Sequence, residues 1–222
     1  MVAGDAGERI PVTPIPWSKR ALDVALSGLG LLASAPVWGL IAAAVKVEDG
    51  GPIFFRQDRV GRYGRRFLIW KFRTMVVEAD RLLDKEGRVH GDGRITRAGR
   101  FLRLTSLDEL PQLINVIRGE MSFIGPRPGL KEHYDRYTAA QKRRYDMRPG
   151  VTGLAQVNGR NTLPWSRRIA YDLEYIDEFS LWRDVKILAK TIAIVATGKN
   201  LVLDRNPELV DDLPPSRDSG GR

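Results

Sequence analysis

Between Val24 and Val45 the chain carries no charged residue, and Pro36 interrupts this run near its middle. About 20 apolar residues suffice to cross a bilayer as a helix, so the run is a membrane-segment candidate. Proline removes a helical hydrogen bond and clashes with the preceding turn. It divides the run into Val24–Ala35 and Pro36–Val45, each about half a bilayer long at ~1.5 Å per residue. Basic residues stand on both flanks: Lys19 and Arg20 before, and Lys46, Arg56, Arg59, Arg62, Arg65 and Arg66 after. Symmetric positive charge gives no preferred direction of crossing. A proline-broken re-entrant helix over residues 21–46, entering and leaving by one face, satisfies both facts. Ser34, near the break, has a hydroxyl able to satisfy a freed carbonyl. A kinked full span ranks second, and a core helix of a soluble protein third. Trp17, Lys19 and Arg20 together suit a membrane interface. The uncharged run is longer than the apolar core of a signal peptide, so a secretory signal peptide is not expected.

The remainder reads as one domain, residues 17–200, between flexible tails at 1–16 and 201–222. The expected class is α+β, mainly helical with a small β-hairpin. Pro52–Gln57 and Phe67–Phe72 form that hairpin around a Gly61–Gly64 turn. Thr74–Glu86 reads as a helix, and Gly87–Gly99 as a polar loop. Leu110, Leu113, Ile114 and Ile117 make one face of a short amphipathic helix that Gly119 ends. Lys131–Met147 reads as a charged surface helix, and Arg148–Gly153 as a turn. Leu154–Asn161 reads as a loop or short strand carrying Gln156, Asn158 and Arg160; it is either a solvated connection or a polar ligand site. Arg167–Phe179 and Ser180–Thr197 are helices, the second with Leu181, Val185, Leu188, Ile192 and Val195 on one face.

Charge narrows the partners. The chain of 222 residues has a net charge of +9, which calls for an anionic partner: nucleic acid, anionic lipid or a phosphorylated substrate. With no cysteine, disulfides and thiolate metal sites are excluded. His90 and His133 are the only histidines, which argues against a histidine-rich metal centre but leaves an oxygen-ligated magnesium site open.

The stretch Thr105–Pro128 holds the chemistry. Asp108 and Glu109 precede the amphipathic helix, and Gly125-Pro126-Arg127-Pro128 follows it, with prolines on both sides stiffening the presentation of Arg127. Carboxylates can attack phosphorus or hold a metal, and a guanidinium can grip phosphate oxygens bidentately. A plainer reading competes: Ser106-x-x-Glu109 is a capping box, and acids favour a helix N-terminus. Pro111 fits the first helical turn only if Asp108 is the N-cap. On spacing alone, capping outweighs catalysis.

Six ordered blocks change that balance. They are Lys19-Arg20 with Asp23 before a proline-containing apolar helix, Phe54-Phe55-Arg56-Gln57-x-Arg59-Val60-Gly61, Lys71-Phe72-Arg73-Thr74-Met75, Ser106-Leu107-Asp108-Glu109-Leu110-Pro111-Gln112, Gly125-Pro126-Arg127-Pro128 and Arg148-Pro149-Gly150-Val151-Thr152-Gly153. Over about Trp17 to Asn200 the chain resembles the monotopic polyprenol-phosphate phosphoglycosyl transferases, bacterial sugar transferases that begin glycan assembly on a lipid carrier. It is similar to their short form, without an extra N-terminal membrane bundle, which acts on N-acetylated or dideoxy UDP-sugars. One departure is Ser34-Ala35-Pro36 where the family often has Ser-Pro; the serine then reaches a different carbonyl.

The resemblance implies a ping-pong reaction at the cytoplasmic face of the bacterial inner membrane. Asp108 attacks the β-phosphate of a UDP-sugar and releases UMP, and polyprenol phosphate then takes the phosphosugar from Asp108. Glu109 assists as base or orienter. Arg127, Lys71 and Arg148 hold phosphates, and Gln156, Asn158 and Arg160 meet the nucleotide sugar. Lys19, Arg20, Ser34 and Pro36 set the membrane segment. Two anions must meet, so Mg²⁺, with Mn²⁺ as an alternative, is expected at Asp108. Expected partners are a UDP-sugar, polyprenol phosphate and the bilayer, with no nucleic acid; a homodimer is left open. The rival is a non-catalytic basic membrane- or nucleic-acid-binding protein, which accounts for the arginines but not for the acid pair, the Pro-Arg-Pro turn or the apolar run.

Overall fold

A computed structural model describes residues 15–77, 79, 93–159, 162–197 and 211–214. The apolar run forms α1 (Trp17–Asp49), one helix that continues through Pro36. The expected division at Pro36 is therefore not a gap in the helix. Proline removes the donor that would serve the Leu32 carbonyl. Ser34 Oγ instead donates to the Leu31 carbonyl at 3.4 Å and accepts from Trp38 Nε1 at 3.0 Å.

Polar contacts tie both ends of α1 to one body. At the first end, Lys19 Nζ lies 2.7 Å from Asp184 Oδ2 and 3.0 Å from the Ile124 carbonyl. Arg20 donates to the Val116 carbonyl at 2.5 Å and the Ile117 carbonyl at 2.8 Å, both at a helix C-terminus. Asp23 Oδ1 accepts from Ser122 Oγ at 3.0 Å and from the Phe123 N–H at 2.9 Å. At the other end, Asp49 pairs with the Arg73 guanidinium, and Glu48 accepts from the Arg97 and Ala98 N–H groups. Lys19 and Arg20 thus point into the protein, not toward headgroups as expected. Their heads find a buried carboxylate and the carbonyls of a helix C-terminus, a stronger draw than solvated phosphate.

The hairpin forms as expected and is longer at its turn. β1 (Phe54–Val60) pairs antiparallel with β2 (Arg66–Phe72), Phe54 opposite Phe72 and Val60 opposite Arg66. Phe54 and Phe72 stack with ring centroids 5.3 Å apart, and Trp38 of α1 packs edge-on to Phe72 at 5.1 Å. Ile41, Val45 and Leu102 complete this part of the core.

Beyond β2, Met75 bridges Ile95 in extended conformation, so the expected helix does not begin at Thr74; its remainder and most of the expected loop lie outside the described residues. Helix α2 (Arg97–Thr105) occupies residues for which no helix was expected, partly inside the assigned loop. Thr96 caps it by accepting from the Gly99 N–H. α3 (Gln112–Arg118) stops at Gly119, where φ is 82°. Its buried face is Gln112, Leu113, Asn115 and Val116, whereas Ile117 is exposed. Asn115 explains this rotation: its amide donates to the Leu68 carbonyl and accepts from the Trp70 N–H, filling the edge of β2.

A second sheet was not foreseen. β3 (Ser122–Ile124) pairs in parallel with β4 (Gly150–Thr152), inside the segment assigned as a turn. The backbones approach so closely that a Cβ on Gly150 would stand 2.1 Å from the Gly125 nitrogen, so only glycine fits. The expected single helix over Lys131–Met147 is instead α4 (Lys131–Arg136), α5 (Ala139–Lys142) and a 3₁₀ turn at Arg143–Tyr145. Thr138 starts α5 with a reciprocal capping box to Gln141, and the break buries Tyr137, Arg144 and Tyr145. α6 (Leu154–Val157) is a helical turn where a loop or strand was expected. α7 (Trp165–Asp177) and α8 (Leu181–Thr197) form as read. α8 buries Asp184 and Ile187, leaving Val185, Ile192 and Val195 exposed, because Lys19 and Tyr175 draw the Asp184 edge inward.

Candidate active site

The chain reaches the acid pair through a strained turn. α2 ends at Ser106, which has φ 58° and ψ 16°, a left-handed conformation that costs a non-glycine residue roughly 1–3 kcal/mol. A 3₁₀ turn, Leu107–Glu109, follows and runs into α3. Ser106 makes no side-chain cap to this turn, so the expected capping box is not formed, and Pro111 rather than Asp108 precedes the first residue of α3. Freed from capping, the two carboxylates turn to the cations.

Glu109 is the fixed member. Its Oε1 lies 2.7 Å from Lys71 Nζ at the end of β2 and 2.6 Å from Arg127 Nη2, and Arg127 Nη1 reaches Oε2 at 3.4 Å. Burial would raise its pKa, but the Arg127 and Lys71 cations outweigh that and hold the carboxyl well below the usual range. Asp108 differs. It is buried, and its nearest cation, Lys71 Nζ, stands 4.0 Å away. Burial pushes its pKa up to about 6, with the Lys71 charge opposing. Asp108 is therefore a desolvated carboxylate near neutral pH without a tight partner, a state suited to a nucleophile. Among the described residues no group of three or more His, Cys, Asp or Glu can hold a metal.

Arg127 is stiffened from behind. Its carbonyl accepts from Arg144 Nη2 at 3.0 Å, and Arg144 is buried with Asp172 at 2.5 Å. A backbone bridge from Val60 to Gly129 holds the far side of its loop.

The profile described as "Bacterial sugar transferase" matches residues 15–198. The chain belongs to the bacterial sugar transferase family. A UDP-glucose:undecaprenyl-phosphate glucose-1-phosphate transferase of Caulobacter vibrioides is 45% identical over 202 residues, covering 87% of this chain and 75% of that protein. The galactosyl transferase CpsE of Streptococcus agalactiae is 41% identical over 193 residues, 82% of this chain and 42% of its own length. The exopolysaccharide production protein ExoY of Sinorhizobium fredii is 40% identical over 196 residues, 82% of this chain and 87% of its own. The chain thus spans less than half of one of these relatives and most of the other two.

Within this bacterial sugar transferase, the residues singled out from the sequence divide into two groups. Asp108, Glu109, Lys71 and Arg127 come together. Arg148 does not join them: its Nε donates to the Gly119 carbonyl at 2.8 Å, at the other end of α3. Asn158 Nδ2 donates to the Leu154 carbonyl, closing α6. Gln156 is buried with neither amide atom hydrogen-bonded, close against Gly153 beside the Gly125 turn. Arg160 lies outside the described residues. Ser34 and Pro36 lie mid-way along α1. Sequence reading did not assign Arg103, whose charge bears on Asp108 and whose Nε donates to Thr74 Oγ1 at 2.9 Å. No spacing in the sequence pairs Arg103 with Asp108, because α2 ends before the left-handed Ser106 and Asp108 lies in the turn beyond it.

Proposed function

We propose that this protein transfers a phosphosugar from a UDP-sugar to polyprenol phosphate through a phosphosugar-aspartate on Asp108, releasing UMP. The observation that carries this reading is the asymmetry of the acid pair: one carboxylate is consumed by two cations, and its neighbour is buried and available. In the first half-reaction an Asp108 oxygen bonds to the β-phosphorus, and the bond from that phosphorus to the bridging oxygen breaks. The bridging oxygen keeps the electron pair and leaves on UMP. In the second, a phosphate oxygen of the lipid attacks the same phosphorus and frees Asp108. Neither half-reaction needs proton abstraction from a phosphate already ionised at neutral pH, so Glu109 acts by orienting Arg127 and Lys71 and not as a base. Arg127 grips a phosphate oxygen with the part of its fork not used by Glu109.

Mg²⁺ fits this donor set as an ion held by Asp108 together with substrate phosphates, since magnesium commonly takes one or two carboxylates plus phosphate oxygens. When bound it would reduce the repulsion between carboxylate and pyrophosphate. Mn²⁺ suits the same hard oxygen ligands.

The membrane reading has its own support. α1 is long and apolar, yet Lys19 to Asp23 and Glu48 to Asp49 bind the same protein body. A full span would leave its two ends on opposite faces. We therefore place both ends at one face of the membrane, the cytoplasmic face in a bacterium, where UDP-sugars are available. An apolar groove of about 460 Å³ between α1 and α2 runs to Leu107, next to Asp108, and gives the polyprenyl chain a route to the nucleophile.

Relatives named for glucose and galactose transfer make UDP-glucose and UDP-galactose the first substrates to try, ahead of the N-acetylated and dideoxy sugars. The test is UMP release from a panel of UDP-sugars with polyprenol phosphate; no release from any of them would reject the reading.

A further inference from the structure

The acid pair lies between two helices, and α1 grips the outer end of each. Glu48, near the end of α1, accepts from the Arg97 N–H at 2.5 Å and the Ala98 N–H at 3.0 Å. Thr96 takes the Gly99 N–H, so Glu48 serves the other two N–H groups that open α2. Arg20, near the start of α1, donates to the Val116 and Ile117 carbonyls in the last turn of α3. A carboxylate at a helix N-terminus and a guanidinium at a helix C-terminus both complement the backbone dipole. Between these two grips α1 stays in contact. A Cβ at Gly30 would stand 3.0 Å from Leu113 Cδ1. Leu107 and Leu110, on either side of the acid pair, pack on the core that holds Ile41 and Val45 of α1.

As α1 ascends from Arg20 to Glu48, its partners descend from Ile117 through Leu113 and Leu107 to Arg97. The stretch from Arg97 to Arg118 therefore lies antiparallel on α1 and is fastened at both outer ends. Its weak point is the middle. Ser106 holds a left-handed conformation, with φ 58°. In the turn beyond it, the Glu109 N–H donates to the Ser106 carbonyl and the Leu110 N–H to the Leu107 carbonyl, each at 3.3 Å. Both bonds are longer than the usual ~2.7–3.2 Å. A strained turn with weak internal bonds keeps its shape only while its surroundings over-determine it.

We propose that Glu48 and Arg20 are positioning residues for Asp108 and Glu109. By fastening the outer ends of α2 and α3 to one helix, they fix the span that the acid turn must bridge. The consequence for catalysis rests on the transferase reading above; the fastening does not. Both residues act from a distance, since Ala98 is ten residues before Asp108 and Val116 seven after Glu109. The two grips can be released one at a time. Asp49, paired with Arg73, keeps its end of α1 on the body when Glu48 is replaced. Lys19 and Asp23 do the same at the other end when Arg20 is replaced. Each substitution then frees a helix end without freeing α1.

The experiment follows amide hydrogen exchange by mass spectrometry on the full-length protein in detergent, beside the kcat of UMP release. Glu48→Ala and Arg20→Ala are each expected to speed exchange of the Glu109 and Leu110 amides about fivefold, the size of losing one helix cap. Each should lower kcat about 10- to 100-fold, as a misplaced catalytic group does. The double variant should be no slower than the slower single variant, because a turn released at one end is no longer held by the other. Glu48→Gln keeps an acceptor and Arg20→Lys keeps a charge, so both should fall between wild type and alanine; they also serve if an alanine variant does not fold. Faster exchange confined to the outer ends of α2 and α3, with the turn at its wild-type rate in the variants that fold, would overturn the assignment. So would a double variant whose loss in kcat is the product of the single losses, the behaviour of distant, independent sites. Wild-type protein that releases no UMP from any UDP-sugar would reject the transferase reading instead, and the exchange result stands apart from it.

Discussion

Asp108 and Glu109 are chain neighbours with opposite electrostatic states, and the difference predicts unequal mutants. Asp108→Asn keeps shape and removes the attacking oxygen, so turnover should fall below detection. Glu109→Gln leaves the nucleophile but loosens Lys71 and Arg127, and should cost about 10² in rate, the scale of a misplaced catalytic group. Purified variants assayed for UMP release decide this; equal losses would contradict the division of roles. A pH profile follows from burial. Asp108 must be ionised to attack, and its pKa is raised to about 6. Activity, as kcat/KM, should be half-maximal near pH 6, level off about a unit above it and approach a tenfold fall per unit below it, since acid removes the carboxylate. A profile flat down to pH 4.5 would exclude Asp108 as the titrating group. At this scale the sequence carried the acid pair and Arg127, because their types and their rigid turn are local properties. It could not separate Lys71 from Arg148, since a basic residue's partner, Glu109 or the Gly119 carbonyl, is set by tertiary contact.

Helix α1 is the element on which the membrane reading depends. Its two polar ends grip one protein body, and Pro36 removes a backbone donor between them. Single cysteines at Ser18 and Val47, on this cysteine-free background, should react with a membrane-impermeant maleimide from the cytoplasmic side alike. Labelling from opposite sides would establish a full span. Pro36→Ala should shift part of the population toward spanning, because it restores the helical hydrogen bond at the Leu32 carbonyl. The apolar run, Pro36 and the basic flanks are legible in the sequence, as is the hairpin with its Gly61–Gly64 turn. The β3–β4 pair is not, since three-residue strands are too short to show a period and Gly150 reads as a turn residue. α2 escapes for a related reason: Gly99 within Arg97–Thr105 looks like a loop, yet the helix needs glycine there because a Cβ would stand 2.1 Å from the Thr74 carbonyl oxygen.

On the scale of the whole molecule, large apolar side chains remain exposed: Leu32 and Leu40 on α1, Phe101 on α2 and Ile192 on α8, at 76%, 73%, 60% and 62% of their surface. Such a surface is aggregation-prone in water and ordinary in lipid. High salt should therefore leave the protein in the membrane pellet, and detergent should release it; release by salt alone would favour a peripheral basic protein. Exhaustive chelation should abolish turnover, and Mg²⁺ or Mn²⁺ should restore it; full activity in excess EDTA would remove the metal from the account. The central claim is the covalent intermediate. Enzyme mixed with labelled UDP-sugar and no lipid acceptor, quenched rapidly in acid and digested, should yield UMP in near-stoichiometric amount with a phosphosugar on the peptide bearing Asp108. UMP release that depends strictly on polyprenol phosphate, with no adduct at any time point, would contradict it and establish direct single displacement.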